Sequence, residues 1–428
     1  MIEKIKKILN NNKKINAWKI NYSEIKSCEL FYVLKKLEIN RATQDVRCDV
    51  TIYHDFDKYR GSSTIVIEPF MDENEMVKEI DKAVYRASFV KDEYYDIPSK
   101  SDDEMINISS NFSDKSLNEW AQLITDAVFE ADVYKNGWIN STEIFLYDTK
   151  NIFINSNGVF HEYKKYSGMI EVIPTWSKNK EEFELYKNYE FSSIDLKRIT
   201  AEVNEILLQS RDRSEAVKLP KNVDVKVLLS GRDINSFFSY FANQLQYATV
   251  YQKMSMFELN KSCQGKSLKG DKLTLTMSPF VLESSSSSPV DFDGIVLKNE
   301  QIIKDGICQK YWGNQRFGYY LKQEKPTGMI PNMIVDGGTK SLSEMKKEPY
   351  LECVSYSGLQ VDPFTGYVGG EVRLAYYFDG EKTYPVTGLS ISGDLEKIKE
   401  NMFFSKEIIS RKNYSGPSHI EVPCFKIL

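Results

Sequence analysis

The chain opens on a helical period. In MIEKIKKILNNNKK the residues Ile2, Ile5, Ile8 and Leu9 share one face and lysines fill the other, which predicts a short amphipathic helix. The pattern then switches to alternation. Val46, Cys48, Val50 and Ile52 line one side of a strand, and STIVIEPF reads as another. The helical period returns in Met76, Val77, Ile80, Val84 and Ala87, and Asp72 stands three residues ahead of Glu75 as a capping box would. A second passage follows the same order. ELFYVLKKLEINR (29–41) resembles EIFLYDTKNIFINS (143–156), which leads through Asn157-Gly158 into strands at GMIEVIPTW and FELYKNYEF. A helix follows from about Asp195 to Gln209, with Ser192 or Ser193 offering a cap. A bridging helix spans Ser116 to Ala131, with Ser116 and Glu119 at capping-box spacing. Strand, strand, strand, helix, twice, predicts an N-terminal α+β domain of duplicated βββα units over residues 1–218.

The charged segment RDRSEAVKLPKN (211–222) changes the composition and places a boundary there. Residues 219–428 read as a β-rich C-terminal domain. It opens on the strand VKVLL (225–229) and a helix from about Arg232 to Tyr247 that carries Phe237, Phe238, Tyr240, Phe241 and Leu245. Short strands and turns follow. The low-complexity run ESSSSSPVDFDG (283–294) predicts a mobile, solvated surface loop. From Pro326 to Met402 glycines punctuate the strands: Gly366, Gly369 and Gly370 separate LQVDP from EVRLAYYF, and Asp379-Gly380 signals a hairpin. These glycines supply positive φ at turns and bulges. Gly366, Gly369 and Gly370 are also candidates for peptide binding, because β-augmentation needs backbone access and little side-chain bulk.

Composition narrows the chemistry. A chain of 428 residues holds two or three domains, and 41% hydrophobic with 27% charged residues is ordinary globular usage. A net charge of −5 argues against nucleic-acid binding, which wants a basic face. No stretch approaches the roughly 20 apolar residues that span a bilayer, and the N-terminus lacks the apolar core of a signal peptide. Six scattered cysteines without a CxxC pair predict buried thiols in the cytoplasm. Histidine is scarce. His161 begins HEYKKY, but Lys165 and Tyr166 stand where a second ligand would be needed, so it is not read as a zinc ligand. His54, in YHDFD, reads as a loop residue. His419 and Cys424 are too few for a zinc site, though a Cys–His nucleophile pair is a candidate. No phosphate-binding GxxxxGK[ST] or GxGxxG string occurs.

From about Val225 onward several strings, in order, resemble one family. They are TLTMSP (274–279), DFDGIVLKNEQIIKDGI (291–307), GMIPNMIVDGGTKSLSEM (328–345) and GLQVDPFTGYVGGEVRLAYYFDGEKTYPVTGLSISGDL (358–395). The chain is similar to the TldD/PmbA family, also called the TldD/TldE or "modulator of DNA gyrase" proteins, and the duplicated N-terminal units agree more loosely. The resemblance implies dimers that enclose a chamber for proteolysis or peptide maturation. It also implies, in active members, a zinc motif HExxxH with a late cysteine. Matched position by position, that motif falls on Ser239, Tyr240 and Gln244, and the cysteine near Ser415, with Cys424 close by. None of the first four is a zinc ligand of that type, and no glutamate remains to activate water. The departure resembles the TldE/PmbA branch. It implies a metallopeptidase homologue without catalytic residues or metal of its own, working as a homodimer or with a zinc-bearing TldD-like subunit on a peptide substrate. The alternatives are a hydrolase or peptide-modifying enzyme that uses His419, Cys424 or aspartates, and a peptide-binding scaffold with no protease partner.

Overall fold

Long antiparallel strands carry the first half of the chain. The computed structural model describes residues 1–221, 223–230, 234–423 and 425–428. Helix α1 (Ile2–Asn11) leads into β1 (Ala17–Val33), β2 (Lys36–Phe56) and β3 (Tyr59–Val66), then α2 (Glu73–Ala87) and β4 (Asp92–Glu93). After α3 (Leu117–Glu130) come β5 (Gly137–Asn155), β6 (Phe160–Lys178), β7 (Glu181–Glu184), β8 (Lys187–Phe191) and α4 (Leu196–Glu215). All eight strands share one sheet in the order β4-β3-β2-β1-β5-β6-β7, with β8 also on β6. Each unit is thus a helix, a run of antiparallel strands and a second helix. The first long strands of the two units pair antiparallel, Cys28 opposite Leu146, so the units meet at the middle of the sheet.

The repeated topology does not coincide with the sequence match between 29–41 and 143–156. The first segment crosses the tight turn at Leu34-Lys35, where both residues hold positive φ, while the second lies almost wholly inside β5. A turn built without Gly or Asn leaves no mark on the alternation, so a hairpin and a single strand look alike in sequence.

The helix starts follow their local chemistry. Asp72 with Glu75 and Ser116 with Glu119 form capping boxes on α2 and α3. Helix α4 is capped by Asp195, whose carboxylate accepts from the Arg198 N–H at 3.1 Å. Neither Ser192 nor Ser193 does this; Ser193 Oγ donates to Asn111 instead. Helix α4 also runs on to Glu215, so the charged segment that reads as a linker begins as a final helical turn. The next strand, β9 (Val217–Lys218), already pairs with a strand of the second half.

That half contains β10 (Lys226–Leu229), α5 (Ile234–Gln244), β11 (Leu275–Ser278), β12 (Glu300–Lys304), β13 (Ile307–Cys308) and β14 (Asn332–Val335). Then come β15 (Tyr350–Val361), β16 (Tyr367–Phe378), β17 (Thr383–Thr387), β18 (Leu389–Asp394) and β19 (Phe403–Phe404). The chain ends with β20 (Ile408–Arg411), β21 (Tyr414–Pro417), β22 (Ile420–Val422) and β23 (Lys426–Ile427). One sheet has the order β19-β22-β10-β15-β16-β17-β9, with β18 bridging β16 and β23; the other has the order β13-β12-β11-β14-β21-β20. Both contribute to a single core around the aromatic side of α5, where Phe237, Phe238 and Phe241 meet Leu275, Met333, Leu351 and Tyr414. Each buried aromatic of this kind contributes about 1.5–3 kcal/mol. The fold is α+β.

The serine-rich run is not a solvated loop. Ser284 and Ser287 are fully buried, Ser284 Oγ donates to Asn332 Oδ1 at 2.6 Å, and Ser285 Oγ donates to Glu190 of β8 at 2.7 Å. Glu283 pairs with Arg198 of α4, and Asp293 with Lys19 of β1. The run therefore lies in the seam between the halves. Short hydroxyls suit such a place because each can satisfy a nearby polar group without demanding volume. Cys28, Cys48, Cys263, Cys308 and Cys353 are free and buried, and Cys424 lies outside the described residues. Among the described residues no helix is long and apolar enough to cross a membrane.

Gly294 closes this seam with a φ of +85°, and a Cβ there would stand 2.1 Å from Phe153 Cε1. Gly294→Ala is expected to cost about 3 kcal/mol or more, combining left-handed strain with overpacking. Gly158→Ala, at a similar φ of +82° but in open space, should cost only about 1 kcal/mol. Urea unfolding of the two variants measures the difference.

Candidate functional site

Helix α5 carries the positions where the family motif would sit, so its two faces decide what they do. Ser239 lies on the polar stripe of the helix, and its Oγ donates to the Asn235 carbonyl at 3.0 Å. Tyr240 and Gln244, one turn apart, face inward and are 1% and 0% exposed. The Tyr240 hydroxyl donates to Glu396 Oε1 at 2.7 Å. Burial, reinforced by that carboxylate, pushes the phenol's pKa far above its ordinary value, so it stays a donor. Gln244 Nε2 donates to the carbonyls of Pro363 (2.8 Å) and Phe364 (3.3 Å), while its Oε1 accepts from the Met256 N–H at 2.7 Å. Ser415, on β21, accepts from Ser410 Oγ at 3.2 Å.

This set does not fit zinc. Protein zinc sites draw on thiolate, imidazole and carboxylate, whereas these four positions offer two hydroxyls, a phenol and an amide. Tyr240 and Gln244 are also committed to other partners. Among the described residues no group of three or more His, Cys, Asp or Glu gathers as a metal site would require. His161 sits on β6, and its Nε2 donates to the Gly294 carbonyl at 3.1 Å, with burial pulling its pKa down. His54 Nδ1 donates to the Lys14 carbonyl at 2.7 Å.

The glycine-punctuated segment seals the inward face of α5. Gly366, at φ +75°, lets its turn approach so closely that a Cβ would lie 3.3 Å from the Tyr240 ring. Gly369 and Gly370 are in β16, opposite Gln360 and Leu359 of β15 on one side and Ser392 and Ile391 of β18 on the other. Both edges of the strand are taken there, so these glycines give a peptide no edge on which to add as a strand.

The open space is elsewhere, in a cleft of about 560 Å³ between α4 and β6–β8 on one side and β15, β16 and β20 on the other. His419 lies in it. Its Nε2 is 2.9 Å from Glu352 Oε1, and its Nδ1 is 2.9 Å from Ser418 Oγ. Burial alone would raise the Glu352 pKa. The hydrogen bonds from His419 and from Lys346, at 2.6 Å, outweigh it and hold the carboxylate below its ordinary value. Deeper in the wall, buried Glu202 is likewise held down by Lys187 at 2.5 Å and Arg411 at 3.3 Å.

Comparison with known proteins matches residues 222–427 to the PmbA/TldA metallopeptidase C-terminal domain. These residues belong to the PmbA/TldD family. A metalloprotease PmbA homologue of Buchnera aphidicola is 26% identical over 289 residues, covering 64% of this chain and 62% of its own length. Metalloprotease PmbA of Escherichia coli O157:H7 is 27% identical over 194 residues, 44% of this chain and 42% of that protein. The matches thus span less than two thirds of these PmbA relatives. The crystal structure of TldE from Thermococcus kodakarensis overlays 99% of both chains with a TM-score of 0.81 at 14% identity, which establishes a shared PmbA/TldD fold.

Sequence reasoning found His419 but not its partners. Glu352 is 67 residues away, so only the strand register of the folded domain brings it to His419, and Ser418, the adjacent residue, carries no motif that would mark it. Cys424, weighed as a partner for His419, lies outside the described residues.

Two outcomes follow. Gln244→Leu leaves two carbonyls and an N–H buried without their partner and should cost about 2–4 kcal/mol in urea unfolding. For Glu352 the folded pKa is depressed, so its contribution is complete above the unfolded value of about 4.3 and is lost as pH falls through the folded pKa. Glu352→Gln should therefore be less stable than the native chain at pH 7. The gap should narrow steadily below about pH 4, as unfolding at a series of pH values would show.

Proposed function

We propose that this chain is a non-catalytic, TldE-like subunit of a cytoplasmic peptide-processing assembly. It shapes the chamber as a homodimer or beside a TldD-like partner that carries the zinc. One observation carries the reading: the inward face of α5, where the family motif would place ligands, is spent on holding the fold. Tyr240 is bonded to Glu396 and Gln244 to the Pro363–Phe364 turn, and none of Ser239, Tyr240, Gln244 and Ser415 has a zinc ligand's chemistry. The PmbA and TldE names of its relatives fit the family part of this reading, and the cleft supplies room for a peptide.

A second reading rests on a different observation. Ser418, His419 and Glu352 form a continuous hydrogen-bonded chain in the cleft, in which the imidazole could take the Ser418 proton while Glu352 holds the ring. The residue types are those of an acyl-transfer hydrolase, with the two ring nitrogens exchanged between serine and acid. It separates cleanly from the first reading, because it predicts labelling of Ser418 by a fluorophosphonate in the isolated chain.

The decisive experiment pairs metal analysis with co-expression. The purified chain is expected to hold far less than one equivalent of zinc and to show no peptidase activity alone. Co-purification with an HExxxH-bearing family member, with activity only in the mixture, is the expected result. Stoichiometric zinc on this chain, or failure of the two to associate combined with a monomeric chain in solution, defeats the subunit reading.

A further inference from the structure

Among the described residues, one cation of the cleft has no counter-ion. Lys187 and Arg411, which also line it, are bound to Glu202 and Glu205. Arg213, near the end of α4, is different. Among the described residues no carboxylate lies within ion-pair distance of it, and its recorded neighbour is the Phe183 ring, 6.0 Å from the guanidinium carbon. Arg373, on β16, lines the same cleft; it donates to Ser357 Oγ at 3.0 Å and makes an ion pair at 3.7 Å with Glu371, whose side chain is exposed. Burial, and then the like charge of Arg373, pull the Arg213 pKa down. Two guanidiniums that line one cavity repel each other, and an anion between them relieves the repulsion.

The strand ladder is disturbed at the same place. The β15–β16 register steps from Cys353↔Ala375 to Ser355↔Leu374, then to Tyr356↔Val372 and Gly358↔Glu371. Val354, Ser357 and Arg373 are therefore left out of the pairing, and all three line the cleft. Bulges re-aim side chains and favour the neighbourhood of binding sites, so the irregular ladder and the cavity point to one location.

We propose that the cleft between α4 and β15 seats the carboxylate of a short peptide between the guanidiniums of Arg213 and Arg373. The inference rests on the peptide-chamber reading and adds to it the group that is recognised. A guanidinium fork suits carboxylate and phosphate alike. The rest of the wall chooses between them. Glu184, Glu205 and Glu352 would repel a multiply charged group, while Ile173, Leu185, Ile206 and Val354 offer an apolar side for residues preceding the carboxylate. A volume of about 560 Å³ falls within the range of small-ligand sites.

The test is equilibrium dialysis of the full chain against N-acetylated tetrapeptides randomised at all four positions, as free acids and as C-terminal amides, read by mass spectrometry. The acid pool should be retained about tenfold better than the amide pool, a difference near 1.4 kcal/mol. Arg213→Met and Arg373→Met should each abolish that preference while melting at the native temperature. Amides retained only when they contain Asp or Glu would assign the carboxylate to a side chain instead of the terminus, and the pair of arginines would still be its seat. Equal retention of both pools overturns the arginine anchor and leaves the peptide reading standing. Retention of neither pool overturns both. Displacement of the acid pool by inorganic phosphate at lower concentration than by acetate would give the site to phosphate and overturn the proposal.

Discussion

The amide of Gln244 is the contact on which the second half depends. It is wholly buried, and its two ends satisfy three backbone groups from two separate segments, the Pro363–Phe364 turn and the N–H of Met256. An unpartnered backbone group in such a place costs about 1–3 kcal/mol, so this one side chain sets where the turn lies. Tyr240, a turn earlier, fixes the following segment through Glu396. Between them these two residues dock the glycine-punctuated strands onto α5, and the core of aromatic side chains on the neighbouring face completes the packing. Tyr240 and Gln244, onto which the resemblance maps a zinc motif, face the interior.

The second organising element is the seam between the halves. Helix α4 rests on β5 and β6 of the first half while reaching β16 and β17 of the second, and Leu374 of β16 belongs to the hydrophobic cluster beneath it. Around that contact the polar groups are arranged in pairs: Glu202 with Lys187 and Arg411, Arg198 with Glu283, Lys19 with Asp293. Buried charges of this kind hold a relative placement more than they add stability, since removing either partner leaves an uncompensated ion. The cleft lies along this seam, with Lys187, Glu205 and Arg411 paired in its wall.

Much of this was legible in the chain, and the failures share a cause. Helix starts that announce themselves within four residues, Asp72 to Glu75 and Ser116 to Glu119, could be read directly. So could the free, buried cysteines that the structure describes. The true cap of α4, Asp195, is not separable in sequence from Ser192 and Ser193, because three capping residues stand within four positions and only the backbone decides among them. The serine run looked solvated because composition reports polarity, not burial; its hydroxyls are satisfied by Asn332 and Glu190, which lie far away in sequence. Glu352 beside His419, and Arg213 beside Arg373, needed the strand register and its bulges, which no local pattern encodes.

The state of α5 also bears on whether the zinc motif implied by the resemblance could be accommodated there. A zinc site from which ligands had merely been removed would leave a polar hollow, and Ser239 or Ser415 in isolation would suit that picture. Tyr240 and Gln244 do not. Placing an imidazole at 244 would strip Pro363, Phe364 and Met256 of their shared partner, and a glutamate at 240 would set a second carboxylate against Glu396 where a phenol now donates. Like charges at that spacing in a buried place cannot both ionise, so one would have to take up a proton. Restoring the motif therefore demands changes in the turn and in Glu396 as well as on the helix. The inward face of α5 is a structural surface, and the open space that could take a ligand lies in the cleft lined by β15.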